Sequence, residues 1–194
     1  FALSPRETDV LPLLLEGRFY AARNADGDWY LVQGQDVYLP DTDRLAAILD
    51  SGAELWVFDA KPLYRLALER GGIGSALHFD GKLAAYLLNP SASGYEVHSL
   101  AAEYGVHAAF ACEAAPDAGV LAGLCDTLAA ALDESGQRKL LDEMELPLAR
   151  VLADMERIGF AIDADGIRAF GDSLRSELDG ILNNIYTTVG YSFN

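Results

Sequence analysis

The side chains in this sequence that could do chemistry are carboxylates. Of 194 residues, 30 are Asp or Glu and 14 are Lys or Arg, for a formal net charge of −16. Carboxylate oxygens suit hard divalent cations such as Mg²⁺, but several must converge before two ions can be held. Ions held in that way activate water and stabilise a leaving oxygen. Asp59, Asp80 and Asp117 are the positions to watch, and the chemistry turns on whether their carboxylates converge in space. Other chemistries lack their residues. His78, His98 and His107 have no ligand-like spacing, so each reads as a surface or core histidine. Cys112 and Cys125 form no CxxC pair, and they read as buried free thiols of a reducing compartment rather than zinc ligands. There is no P-loop, GxGxxG or GxSxG. Gly71-Gly72-x-Gly74 ends a helix and is followed by a strand, so it cradles no phosphate.

The elements that must position these residues follow from periodicity. Phe1 to Leu3 reads as a strand end, and Thr8 or Asp9 caps a short helix through Leu15. Arg18 to Arg23 and Trp29 to Val32 alternate as strands around the turn Asn24-Ala25-Asp26-Gly27-Asp28. Val37 to Leu39 is a third strand segment before Pro40. Asp41 or Thr42 caps a helix carrying Leu45, Ile48 and Leu49. Glu54 to Phe58 is a strand, Lys61 to Arg70 a helix, and Ser75 to Phe79 a strand. A helix with Leu83, Ala84, Leu87 and Leu88 then stops at Asn89-Pro90, and another starts near Glu96. From residue 113 onward the pattern is helical. Leu121, Leu124, Leu128 and Leu132 form one stripe. Leu140, Met144, Leu148, Val151, Leu152 and Met155 form the next, interrupted by Pro147. Asp163 caps a last helix bearing Ile167, Phe170, Leu174, Leu178, Ile181, Ile185 and Val189. The face of Leu148, Val151, Leu152 and Met155 is expected to bury. A meander followed by alternating strands and helices predicts a mixed α/β sheet with helices on its faces, then an all-helical segment.

Charge and hydropathy exclude some classes. Residues 1–95 carry a net −5 and residues 96–194 a net −11. Phosphate contacts dominate nucleic-acid affinity, so this chain alone should bind DNA weakly or not at all. No uninterrupted apolar run approaches membrane-spanning length, and no signal peptide precedes the first strand. Because the first residue is Phe, the chain reads as an excised piece of something longer.

The stretch His78-Phe79-Asp80-Gly81-Lys82-Leu83-Ala84-Ala85-Tyr86-Leu87-Leu88-Asn89 resembles the family A DNA polymerases, in the domain that is a 3'-5' exonuclease in some members. Glu145-Leu146-Pro147-Leu148, Met155-Glu156, Gly159 and Ile162-Asp163 are similar to that family's junction between exonuclease and polymerase domains. Ser192-Phe193-Asn194 resembles the triplet leading into its thumb. The resemblance implies a ribonuclease H-like domain over residues 1–135 and linker helices over 136–194, with thumb tip, palm and fingers missing. It also implies where the metal ligands of an editing member would fall. The first motif, an aspartate-x-glutamate, falls on Ser4 and Arg6. The second falls on Asp59-Ala60-Lys61-Pro62-Leu63, with Leu63 in the aspartate's place and Asp59 left as a helix cap. The third falls on Glu113 to Asp117, where Asp117 keeps the carboxylate. Asp80 is not a ligand in the family, and a structural hydrogen bond is expected of it.

One expected carboxylate of four survives, and an arginine replaces another. The leading expectation is therefore a catalytically silent exonuclease-like domain, with Ser4, Arg6, Leu63 and Asp117 as vestigial positions. No catalytic residue, metal or cofactor is assigned to this fragment, and Mg is expected only in the absent polymerase domain. The full-length protein would synthesise DNA in replication and repair in a bacterial cytoplasm, as a monomer with its polymerase domain in cis and no membrane partner. One alternative is a working metal-dependent exonuclease with displaced ligands Glu7, Asp9, Asp59 and Asp117. Another is an acidic protein-interaction module.

Overall fold

The computed structural model describes residues 2–3 and 17–191. Ser4, Arg6, Glu7, Asp9, the helix expected through Leu15 and the final triplet lie outside the described residues. Five strands form one mixed sheet in the order β4-β3-β2-β5-β6. These are β2 (Arg18–Arg23), β3 (Trp29–Gln33), β4 (Asp36–Tyr38), β5 (Glu54–Val57) and β6 (Leu77–Asp80). The strands β2, β3 and β4 are the predicted antiparallel meander, while β5 and β6 join parallel to β2. Parallel neighbours need crossover helices. These are α1 (Thr42–Leu49) between β4 and β5 and α2 (Lys61–Glu69) between β5 and β6. A separate short parallel pair joins β1 (Ala2–Leu3) to β7 (Ala111–Cys112).

Strand alternation divides the core into two layers, because successive side chains point to opposite faces. Phe19, Ala21, Leu31, Leu55 and Val57 face α1 and α2. Ala22, Tyr30, Val32, Trp56 and Phe79 face the other way, toward α3 (Gly81–Leu88), α4 (Val97–Glu103) and α5 (Ala118–Glu134). The stripe Leu121, Leu124, Leu128 and Leu132 of α5 is completely buried there. Cys112 and Cys125 are free and buried in the same layer, as the sequence predicts. Trp56 anchors that layer. It stacks on Phe79 at 4.5 Å, and the Arg18 guanidinium lies 3.7 Å above its other face. Glu54 accepts from both Arg18 Nε and Trp56 Nε1 at 2.9 Å and so orients the pair.

The C-terminal helices depart from expectation in register rather than in kind. The short helix α6 (Arg138–Leu140) runs through a π-helical turn, Leu141–Glu145, into α7 (Leu146–Ile158). Pro147 directly follows the π-helical turn as the second residue of α7, and its missing N–H interrupts the helical ladder there. The face of α7 predicted to bury does not. Leu148, Val151, Leu152 and Met155 are 48, 54, 42 and 62% exposed. Leu146, Ala149 and Ala153 are buried instead, in the layer containing α2. Alanines four apart let two helices approach closely, and that close approach decides which side of α7 turns inward. The first compact unit runs from Phe1 to Ile158. The second unit, Gly159–Asn194, is built on α8 (Ala164–Val189). Its cap is the predicted one, with Asp163 accepting from the Gly166 amide.

Candidate functional site

Asp80 lies at the junction of β6 and α3 and is 2% exposed, the one buried charged residue among those described. Its Oδ1 accepts from the backbone amides of Lys82 at 2.8 Å, Leu83 at 3.2 Å and Asp59 at 3.2 Å. Its Oδ2 accepts from the Ala60 amide at 2.7 Å. One carboxylate thus caps α3 and also holds the chain entering α2. Burial pushes the Asp80 carboxyl above the ordinary carboxylate range, and these amide donors oppose that shift. The structural hydrogen bond expected of Asp80 is there, in a fourfold form.

Asp59 is not the helix cap that the sequence suggests. The N-cap of α2 is Ala60, without a side-chain bond, and Asp80 reaches across from β6 to hold the Asp59 and Ala60 amides that lead into the helix. Asp59 instead adopts φ +78°, the only positive φ at a non-glycine among the described residues. Its Oδ2 accepts from Lys82 Nζ at 2.9 Å. Lys61, next along, pairs with Glu156 of α7 at 2.7 Å. These charges border a cleft of about 370 Å³ whose apolar wall includes Tyr86, Leu148 and Leu152. Both lysines are matched by carboxylates, so the cleft offers no free cationic surface for phosphates.

Leu63 is completely buried on α2, among Phe19, Leu55 and Val57. Asp117 lies in the opposite layer, at the N-terminus of α5, where its side chain makes no capping bond. Gly119 lets α5 start there, because a Cβ at that position would collide with the Phe110 carbonyl oxygen. The structure thus brings Asp59 and Asp80 together, and it keeps Leu63 and Asp117 on opposite faces of the sheet. Among the described residues, no three His, Cys, Asp or Glu side chains group so as to hold a metal ion. Ser4 and Arg6 lie outside the described residues.

Sequence reasoning missed two participants. Lys82 occupies Asp59, and its only signal was its position two residues after Asp80. Tyr30 is fully buried on β3, and its hydroxyl has no hydrogen-bond partner. Burial raises the Tyr30 pKa, and the Asp117 carboxylate and the two thiols add to the shift. Nothing in the sequence separates Tyr30 from the other aromatic residues of the meander. Burial also pushes the Cys125 thiol upward, which keeps it from acting as a nucleophile.

A family model described as DNA polymerase I, ribonuclease H-like domain, matches residues 20–114. The chain is 32% identical over 160 residues to DNA polymerase I of Bacillus subtilis (strain 168), covering 72% of this chain and 18% of that protein. It is 30% identical to DNA polymerase I of Geobacillus stearothermophilus, covering 90% of this chain and 22% of the relative. Among solved structures, the POL domain of Pol1 from M. smegmatis, in complex with DNA primer-template and dNTP, superposes with a TM-score of 0.69 at 25% identity. That match covers 91% of this chain and 35% of the other. The chain spans about a fifth of the length of the curated relatives it matches. Among the described residues, no helix is long and apolar enough to cross a membrane.

Proposed function

The chain belongs to the DNA polymerase I family through its ribonuclease H-like domain, and from that premise we propose that it is a catalytically silent 3'-5' exonuclease-like module. One observation carries the reading: its carboxylates are committed elsewhere. Asp80 is saturated by four backbone amides, Asp59 is paired with Lys82, and the position expected to supply a second-motif ligand is the core residue Leu63. Among the described residues Asp117 belongs to no group of three His, Cys, Asp or Glu side chains that could hold a metal ion, and a lone carboxylate cannot hold two divalent ions. The module's role is then structural. The full-length protein performs template-directed DNA synthesis, with Mg bound in its polymerase domain and DNA as its partner there, in replication and repair in a bacterial cytoplasm. The fragment itself is a monomer that binds DNA weakly, in keeping with its net charge of −16.

The test is digestion of a labelled single strand by the purified chain in excess Mn²⁺, beside Asp117→Ala. No cleavage by either protein is the expected result. Metal-dependent cleavage lost in Asp117→Ala would replace this reading with an exonuclease using displaced ligands.

A further inference from the structure

We infer that the π-helical turn Leu141–Glu145 is a register device: it holds α7 with its leucine face outward, and its loss turns that face onto α2. In the turn the Leu146 amide donates to the Leu141 carbonyl, five residues back rather than four. A π turn adds one residue to an otherwise α-helical ladder. Each α-helical residue rotates the helix by about 100°, so everything beyond the turn is set back by one position around the axis. The near side of the turn is anchored. Leu141 is completely buried, and the Arg138 guanidinium of α6 lies 5.5 Å from the Phe79 ring. With that side fixed, the buried places now held by Leu146, Ala149 and Ala153 would in a continuous α-helix be held by Glu145, Leu148 and Leu152. Both triplets step by three and then four residues, so α7 carries two faces able to turn inward, offset by one residue.

Three features favour the present register. Pro147 follows the turn directly, and in a continuous α-helix its ring would meet the Glu143 carbonyl. Lys61 Nζ reaches Glu156 at 2.7 Å, and that pair is lost in the other register, where Met155 takes the place of Glu156. Glu145 is half-buried beside the cleft that Lys61 and Lys82 line, and the other register would carry its carboxylate to the buried place of Leu146. One feature opposes them. Leu148, Val151, Leu152 and Met155 are 42 to 62% exposed, and covering Leu148 and Leu152 favours the second register. The leucine face thus has a cover within its own fold, the surface of α2. In one register α7 shows an apolar face, and in the other it withdraws most of it.

Single thiols on the full chain read the register without any nuclease assay. The native Cys112 and Cys125 are buried and stay silent. In the parent background Leu152→Cys should react with a maleimide about tenfold or more faster than Ala153→Cys, since a buried thiol reacts only when the helix opens locally. Glu145→Leu/Pro147→Ala removes the acid and the ring that disfavour a continuous helix, and in that background the order should reverse. A folded double variant that keeps the parent order overturns the assignment. Deleting Met144, which is 62% exposed, removes the extra residue instead. The helix then runs straight through with Ala149 and Ala153 still inward, so the parent order should survive, even with Glu145→Leu/Pro147→Ala added. A reversed order in the folded deletion variant also overturns the assignment. Should the double variant not fold, Glu145→Leu alone is read at its half-buried position. Labelling should slow at Leu152→Cys and quicken at Ala153→Cys, and rates equal to the parent's overturn the assignment.

Discussion

Helices α5 and α8 carry the same kind of stripe and meet opposite fates. Leu121, Leu124, Leu128 and Leu132 on α5 are completely buried between the sheet, α3 and α4. Ile167, Phe170, Leu174, Leu178, Ile181 and Ile185 on α8 repeat at the same three- and four-residue spacing, yet they are 39 to 66% exposed. Periodicity gives the direction a helix would bury, not the presence of something to bury against. Helix α5 lies over a five-stranded sheet, whereas α8 is the only helix among the described residues of its compact unit. Helix α7 holds both conditions at once, with a buried alanine face and an exposed Leu/Val/Met face. Exposed apolar surface of this kind marks interaction sites, and in sequence each stripe adjoins the residues that resemble the polymerase junction.

Substitutions sharpen this contrast. The largest effect is expected from Leu128→Ala in α5, which should cost about 2–5 kcal/mol in denaturant unfolding, because the void beneath the sheet cannot collapse. A cost near zero would mean that α5 is as loosely held as α8. Ala153→Leu comes next. Its site against α2 is closed, so overpacking should cost about 1–3 kcal/mol. An unchanged midpoint would return the inward side of α7 to the leucine face. Asp80→Asn should cost about 1–3 kcal/mol. It keeps the carboxylate's shape but sets an amide donor against backbone donors. Loss of hydrogen-exchange protection confined to the first turns of α2 and α3 would trace the damage to the junction. The smallest effect belongs to Leu174→Ala in α8, within about 0.5 kcal/mol of the parent. A loss comparable to that of Leu128→Ala would show that α8's stripe is covered in solution.

Much of this molecule is legible from local pattern. The hairpin turn at 24–28, the strands on either side, the Asp41 and Asp163 caps and the stop at Asn89 depend on interactions within a few residues, and each is found as read. The candidate site is less legible. Asp59 has the right type and place for a cap, but the chain entering α2 is held by Asp80 from 20 residues away, and the Asp59 side chain pairs with Lys82 instead. Asp80 itself could be recognised as structural, but its fourfold bonding could not, because half of its donors belong to another element.

By itself the sequence determined the α/β class, the meander, the buried thiols and the family, because hydrophobic period, turn chemistry and a few fixed dipeptides are properties of neighbouring residues. It also placed Leu63, not an acid, in α2. Tertiary structure decided the rest. Which face of α7 turns inward depends on how closely α2 can approach its alanines. Whether Asp59, Asp80 and Asp117 meet depends on which side of the sheet each element packs.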